Sequence, residues 1–184
     1  MRGARPSLVL LSLAIVTLAV WARDLVDSTG SAMATAASRL VSSLDAEKAG
    51  KIQFAYDDPE RLNWHFIPRE RKGLSIKAMN GAQRALAFGL IQTGLSASGY
   101  LKATTIMSLE EILRELEQGK GPVRDPELYF LSIFGTPSDQ GKWGWRVEGH
   151  HLSLNFTIEN GLIVSATPTF FGANPGEVRE GPRQ

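Results

Sequence analysis

The chain has 184 residues, of which 43% are hydrophobic, 21% charged and 8% aromatic. Those values are typical of a globular domain and exclude wholesale disorder and a multi-span membrane protein. Lys plus Arg number 20 and Asp plus Glu number 19, and this net charge of +1 does not favour nucleic acid as a partner. Cysteine is absent, which excludes disulfides, thiolate nucleophiles and zinc–thiolate sites.

The N-terminus has the pattern of a secretory signal. Arg2 and Arg5 precede an apolar run of 15 residues from Leu8 to Ala22, shorter than the roughly 20 residues that span a bilayer. This pattern predicts a signal peptide at residues 1–22, with cleavage as late as residue 36 as an option. An uncleaved anchor is the alternative. We expect an exported protein, periplasmic, cell-surface or secreted, with no stable membrane span beyond this segment.

The remainder predicts a single α+β domain at residues 37–178 and a tail at 179–184, with the helices packed on one face of a mostly antiparallel sheet. Helical spacing of apolar residues first appears from Met33 to Lys48. Asn80 and Gln83 then have the spacing of a capping box, which predicts a helix that ends near Thr93.

A second long helix is predicted from Ser98 to Glu117. Its apolar residues follow a 3-4-3 spacing that predicts one buried stripe: Ile106, Leu109, Leu113 and Leu116. The charged residues from Glu110 to Glu117 are predicted to form the solvated face of this helix.

Period-two patterns predict strands after Pro126. The predicted strands are Tyr129–Phe134, Trp143–Val147, His150–Ile158 and Leu162–Thr167. Gly149 is expected to be a bulge or a point of close approach. Asn160-Gly161 is a strong signal for a two-residue hairpin turn, because both positions of that turn need a positive φ.

The long strand carries the candidate site. Leu152, Leu154, Phe156 and Ile158 alternate with polar residues, which predicts a core face and a polar face. Two registers are open. If the alternation continues through Gly149, Trp145 joins the polar face; if Gly149 is a bulge, Trp145 moves to the core and Glu148 joins the side of His151. Pairing across the hairpin would place Thr157 beside Val164. It would also place Asn155 beside the small Ala166, facing open space.

Histidine is rare in this chain, and two of the three histidines are adjacent on this strand. Imidazole with a nearby carboxylate suits acid–base chemistry, so the predicted catalytic residues are His150, His151 and Glu148. Glu148 and His150 could also share a metal as Glu-x-His, although two ligands alone do not make a site. Flat rings and polar groups suit ligand binding, and the predicted ligand-binding residues are Trp143, Trp145, Asn155 and Ser153.

The segment from Trp143 to Asn155 resembles the signature of a bacterial exported family, the domain-of-unknown-function 3500 family. Further landmarks of this family have counterparts at Arg71–Leu74, Gln83-Arg84, Leu95–Tyr100, Phe134–Ser138 and Thr167–Pro175. The resemblance covers roughly Leu40 to Pro182. It implies no activity, and it implies that the chain corresponds to the first half of a longer family domain.

Two classes of function follow from the sequence. The first is an exported, hydrolase-like enzyme with a His/Glu site on a strand. The second is an extracellular or periplasmic module that binds a small molecule or a glycan. A structural envelope protein is the third. The sequence specifies no cofactor, and whether the protein is an enzyme is left open.

Overall fold

The computed structural model describes residues 29–179. The predicted signal peptide and most of the predicted tail lie outside the described residues. Within these residues the chain forms four helices and two 3-10 turns: residues 29–42 (α1), Ala46–Ile52 (α2), Pro59–Leu62 (3-10), Ile76–Ala78 (3-10), Gly81–Thr93 (α3) and Ala97–Glu117 (α4). Among these residues, no helix has both the length and the apolar character to cross a membrane.

The described part of the chain contains seven strands in one sheet: Gln53–Phe54 (β1), Leu74–Ser75 (β2), Phe130–Phe134 (β3), Lys142–Gly149 (β4), Leu152–Glu159 (β5), Leu162–Ser165 (β6) and Thr169–Phe171 (β7). The strand order is β1-β3-β4-β5-β6, with β2 also on β3 and β7 also on β5. Only β1 pairs in parallel, with β3; every other pair is antiparallel. The predicted α+β class with a mostly antiparallel sheet is therefore confirmed.

The helices cover the apolar face of the hairpin formed by β4 and β5. Trp145 pairs with Phe156 and Val147 with Leu154, so these residues lie on the same face. They form one core with residues of all four described helices, such as Leu40 of α1, Ile52 of α2 and Leu90 of α3. Burying each large apolar side chain stabilises the fold by about 1.5–3 kcal/mol.

Local signals placed α3 correctly. The side chain of Asn80 accepts a hydrogen bond from the Gln83 N–H at 2.9 Å, and the Gln83 side chain accepts one from the Asn80 N–H at 3.0 Å. Gln83 also donates to the carbonyl of Ser43 at 2.9 Å, just beyond the end of α1. The predicted capping box is thus present, and its helix ends at Thr93 as expected.

The single helix predicted from Met33 to Lys48 is wrong, because the chain forms two helices there. Asp45 caps the second one by accepting a hydrogen bond from the Lys48 N–H at 2.9 Å. The first helix places Met33 in the core with no exposed surface, so the packed domain begins ahead of residue 37. This helix also lies against the β5–β6 turn, since a Cβ at Gly30 would be 1.8 Å from the Gly161 carbonyl oxygen.

The stripe predicted on the long helix α4 is partly wrong. Ile106 and Leu113 are buried as expected, but Leu109 is only half-buried and Leu116 is 64% exposed. The buried face instead follows Ala103, Ile106, Met107, Glu110 and Leu113. The stripe is therefore rotated about the helix axis, and it includes one glutamate that was predicted to be solvated.

The turn after β4 differs from the expected bulge. Gly149 pairs with Leu152, and the two residues between them, His150 and His151, form a tight turn in which His151 has a φ of 57°. The chain therefore reverses direction where a continuous strand from His150 was predicted. Close approach at Gly149 is confirmed, because a Cβ there would lie 2.2 Å from Cδ1 of Tyr129.

The Asn160-Gly161 turn joins β5 to β6, and its two residues have φ values of 50° and 77°. Thr157 pairs with Ser165 and not with Val164, because the register shifts between Thr157 and Ile158. The pairing predicted from uniform alternation is wrong at this point for that reason.

Candidate functional site

The β4–β5 turn holds His150 against a carboxylate from α4. Nδ1 of His150 lies 2.5 Å from Oε1 of Glu110, and the two residues are only 8% and 4% exposed. A carboxylate only accepts hydrogen bonds, so the contact with Glu110 places a proton on Nδ1 and leaves Nε2 as the other ring nitrogen. No group within the described residues hydrogen bonds to Nε2.

Arg124 completes this buried cluster from the loop that follows α4. Its Nη1 lies 3.2 Å from Nδ1 of His150 and 3.8 Å from Oε2 of Glu110. Its Nε and Nη2 form a two-pronged pair with Glu117 at 2.8 and 2.7 Å. The hydrogen bond from Arg124 lowers the pKa of Glu117, and the same bond raises the pKa of Arg124. We call Glu110, His150, Arg124 and Glu117 the tip cluster.

Tyr129 holds the β4–β5 turn in place through a hydrogen bond and through packing. Its hydroxyl donates to the carbonyl of His150 at 2.8 Å, and its ring occupies the space beside Gly149 that a side chain would need. Burial raises the pKa of Tyr129, so the phenol stays neutral and acts as a donor. The position of His150 therefore depends on a buried hydrogen bond as well as on the turn.

A cavity of about 320 Å³ borders the tip cluster. Glu110, Tyr129 and His150 contribute to its lining, and Arg69 and Arg71 reach it from the segment before β2. Most of the remaining wall is apolar: Pro68, Pro122, Val123, Leu128 and Phe130. This combination of apolar walls and a few converging polar groups is typical of small-molecule sites.

The polar face of the β4–β5 hairpin carries a second buried cluster. Arg146 pairs with Glu60 at 2.8 Å and with Glu148 at 2.9 Å, and all three residues are at most 4% exposed. Glu148 also accepts a hydrogen bond from the His65 backbone N–H at 2.7 Å and lies 3.7 Å from Nε of Arg71. We call Glu60, Arg146, Glu148 and Arg71 the face cluster.

Opposing effects act on the groups of the face cluster. Burial raises the pKa of Glu148, against the charge of Arg146 and the His65 N–H, which lower it. Burial also lowers the pKa of Arg71, whose guanidinium donates to four backbone carbonyls, those of His65, Ile67, Arg69 and Gly149. The donors of Arg71 are therefore used to hold the chain in place.

The structure brings two of the predicted catalytic residues together, since the rings of His150 and His151 lie 4.3 Å apart, but it does not bring Glu148 to them. His150 is bound by Glu110 and Arg124, whereas Glu148 is bound by arginines on the polar face of the hairpin. His151 is not among the residues that line the cavity. Its backbone N–H donates to Phe66, and burial lowers the pKa of its ring, with the charge of His150 as the next cause.

The predicted ligand-binding residues are enclosed by the fold. Trp143 and Trp145 are 0% and 1% exposed, and Trp145 stacks on Phe156 at 4.6 Å, so neither indole presents a face to solvent. Ser153 is fully buried. Asn155 does not face open space, because it donates to the Ser153 hydroxyl at 3.1 Å and to the Pro168 carbonyl at 2.8 Å.

The Glu-x-His metal possibility has no further ligands near it. Within residues 29–179, no group of three or more histidine, aspartate or glutamate side chains is placed to hold a metal ion. The oxygens of Glu148 are already bound by Arg146 and by the His65 N–H.

Sequence reasoning missed Glu110, Arg124 and Tyr129. One signal was present for Glu110, which lies four residues after Ile106 and three before Leu113 and therefore shares their helix face. Arg124 and Tyr129 carried no local signal of the site, because their contacts with His150 join residues more than 20 positions apart in the chain.

Together these features define an α+β domain with a histidine–carboxylate pair at the wall of a cavity. The chain belongs to the family described as a protein of unknown function, DUF3500, whose match covers residues 27–184. No curated protein and no solved structure matches the chain.

Proposed function

We propose that the protein is a hydrolase-like enzyme in which His150 acts as a general base on water and Glu110 orients its ring. The observation that supports this most is the 2.5 Å contact between Glu110 and Nδ1 of His150 at the wall of a cavity. This contact directs the basic nitrogen, Nε2, away from the carboxylate. Positioned acid–base groups of this kind contribute about 10²–10⁴-fold to a rate.

The attacking group in this proposal is water. The cavity lining contains no serine, threonine or cysteine, so no side chain there offers the nucleophile of a covalent triad. Nε2 of His150 would take a proton from water as the water oxygen bonds to an acyl carbon. The same proton would then pass to the leaving oxygen as its bond to that carbon breaks.

The test uses two uncharged esters, 4-nitrophenyl acetate and 4-nitrophenyl butyrate. We expect His150→Gln to lower kcat by about 10²-fold or more. Glu110→Gln should lower kcat less, because the ring keeps its basic nitrogen and the amide oxygen can still accept from Nδ1, although the negative charge is lost. The control is His151→Asn, which changes the adjacent histidine and tolerates the positive φ at this position.

An unchanged rate in His150→Gln, or a loss confined to His151→Asn, would contradict the proposal. Binding of the butyrate ester without turnover would favour the alternative, a binding module that uses the same cavity. Circular dichroism of each variant checks that the fold is kept.

We also propose that residues 1–22 direct export and are removed. The basic start and the short apolar run support this, and cleavage at Ala34 or Ala36 would remove Met33 from the core. N-terminal sequencing of the mature protein should therefore begin at Arg23. Intact protein that still begins at Met1 in the cytoplasm would overturn this proposal.

A further inference from the structure

A second cavity adjoins the first. It has a volume of about 550 Å³, and the two cavities share Arg69, Glu70, Arg71, Leu128 and Phe130 in their linings. A molecule seated against His150 can therefore extend past Arg69 into the second cavity. The proposed reaction uses only the first cavity and leaves the second without a role.

Most charged groups of the second cavity already have partners in the protein. Glu60 is bound by Arg146 at 2.8 Å and by Asn63 at 3.0 Å. Arg71 donates to backbone carbonyls and lies near Glu148. Asp125, which lines the first cavity, is bound by Lys77 at 2.6 Å.

Two cations that line the second cavity, Arg69 and Lys72, have no carboxylate partner among the described residues. Arg69 donates only through Nε, to the Glu70 carbonyl at 3.2 Å, so its two terminal nitrogens bond no other group among the described residues. Lys72 lines the second cavity and is exposed. Glu70 is the one carboxylate of this cavity that has no cationic partner within residues 29–179, so two positive charges face one negative charge.

We propose that this second cavity binds a carboxylate group of the substrate, held by Arg69 and Lys72. The inference rests on the hydrolase function proposed above and specifies its substrate class as esters or amides with a terminal carboxylate. A planar guanidinium with two free terminal nitrogens matches a carboxylate in a two-pronged pair. Because Arg69 lines both cavities, the carboxylate would lie in the second while the reacting acyl carbon lies in the first.

The test compares mono-4-nitrophenyl adipate with its methyl ester, in which a methyl group removes the negative charge. Water adds to the acyl carbon that bears the 4-nitrophenoxy group, and 4-nitrophenol leaves with the proton. We expect Arg69→Gln to raise KM for the charged ester about tenfold, as the loss of one charge-assisted hydrogen bond implies. KM for the methyl ester should change less than about twofold, which is within the scatter of surface substitutions.

Calorimetry with adipate provides a measurement that needs no turnover. We expect the wild type to bind adipate and to ignore adipamide, its uncharged analogue. Lys72→Gln and Arg69→Gln should each weaken adipate binding. The matched control is Lys51→Gln, which removes an exposed lysine of α2 that is paired with Glu47. This control should leave adipate binding unchanged.

The two proposals fail in different ways. Turnover of both esters with equal KM in wild type and Arg69→Gln would overturn the carboxylate site and leave the hydrolase intact. No turnover of either ester would contradict the hydrolase. In that case adipate binding that depends on Arg69 would support the carboxylate site, and no adipate binding would overturn it.

Discussion

The face cluster and the tip cluster are both buried and charged, yet they differ in what surrounds them. The face cluster pairs two arginines with two glutamates, and backbone groups such as the His65 N–H complete it. The tip cluster borders a cavity and leaves one ring nitrogen without a protein partner among the described residues. Buried ionisable residues therefore do not mark a site by themselves. Glu60 and Arg71 of the face cluster also line a cavity, but its central pair, Arg146 and Glu148, lines neither of the two cavities. Glu110 and His150 of the tip cluster line the first cavity directly.

The same difference predicts how each cluster contributes to stability. Removing one partner of a fully enclosed ion pair leaves a charge that water cannot reach. At the tip cluster, water in the first cavity can replace some of the hydrogen bonds that a substitution removes. Substitutions in the two clusters should therefore differ in their effect on the free energy of unfolding.

The largest effect is expected for Arg146→Met. This change leaves Glu60 and Glu148 buried without their shared cation, which should lower the free energy of unfolding by about 3–5 kcal/mol. Urea melts measure this loss. The control is Lys142→Met on the same strand, whose pair with Glu159 is 43% and 42% exposed. It should cost under about 1 kcal/mol. Equal losses in the two variants would contradict the enclosed position of Arg146 and Glu148.

Gly149→Ala should destabilise the protein by about 1–3 kcal/mol, a typical cost of overpacking. The added methyl group would occupy the space of the Tyr129 ring, which holds the carbonyl of His150. The matched control is Gly89→Ala within α3, where nothing lies within 4 Å of the new Cβ. There the change should stabilise by about 0.5–1 kcal/mol through helix propensity. Thermal melts of both variants give opposite signs if this interpretation is correct.

His150→Gln should cost about 1–2 kcal/mol, less than Arg146→Met, because it removes one hydrogen bond to a charged group. Glu110 keeps Arg124 at 3.8 Å and gains access to cavity water. Urea melts under identical conditions make the comparison direct. A loss as large as that of Arg146→Met would mean that the tip cluster is as enclosed as the face cluster.

The smallest effect concerns pH and His151. Burial lowers the pKa of His151 below its usual 6.5 in the folded chain, with the charge of His150 adding to this, while the Ala173 backbone and Glu110 oppose it. A lowered pKa in the folded state contributes stability above pH 6.5 that is lost as the pH falls through the folded pKa. Relative to His151→Asn, the wild type should therefore lose stability between about pH 7 and pH 5. If the difference in the free energy of unfolding between the two proteins stays constant across this pH range, the lowered pKa of His151 is contradicted.

The sequence predicted those parts of the fold whose signals are local. Asn80 and Gln83 form their capping box within one turn, and Asn160 and Gly161 are residue types that favour the positive φ values of their turn. Alternation along β5 correctly assigned Leu152, Leu154, Phe156 and Ile158 to the core. These features depend on neighbours in the chain, so residue type and spacing were sufficient.

The candidate site depended on distant residues and was only partly predictable. His150 was identified, but its partner Glu110 lies 40 residues earlier in a charged run that is otherwise exposed. Arg146 and Glu148 could not be recognised as enclosed, because their cover includes Glu60, 86 residues before Arg146. The turn at His151 has no glycine or asparagine, the residues that usually mark a positive φ.

The contact of α1 with the β5–β6 turn determines how the domain would be oriented on a tether. Gly30 touches Gly161, so the chain that precedes the described residues is attached at this corner. His150 precedes the opposite end of β5, a strand of eight residues that extends about 23 Å. Whether the N-terminus is attached to a membrane, a resin or a fused protein, the strand separates the attachment point from His150. A tether that ends at residue 29 would therefore lie about the length of β5 away from His150.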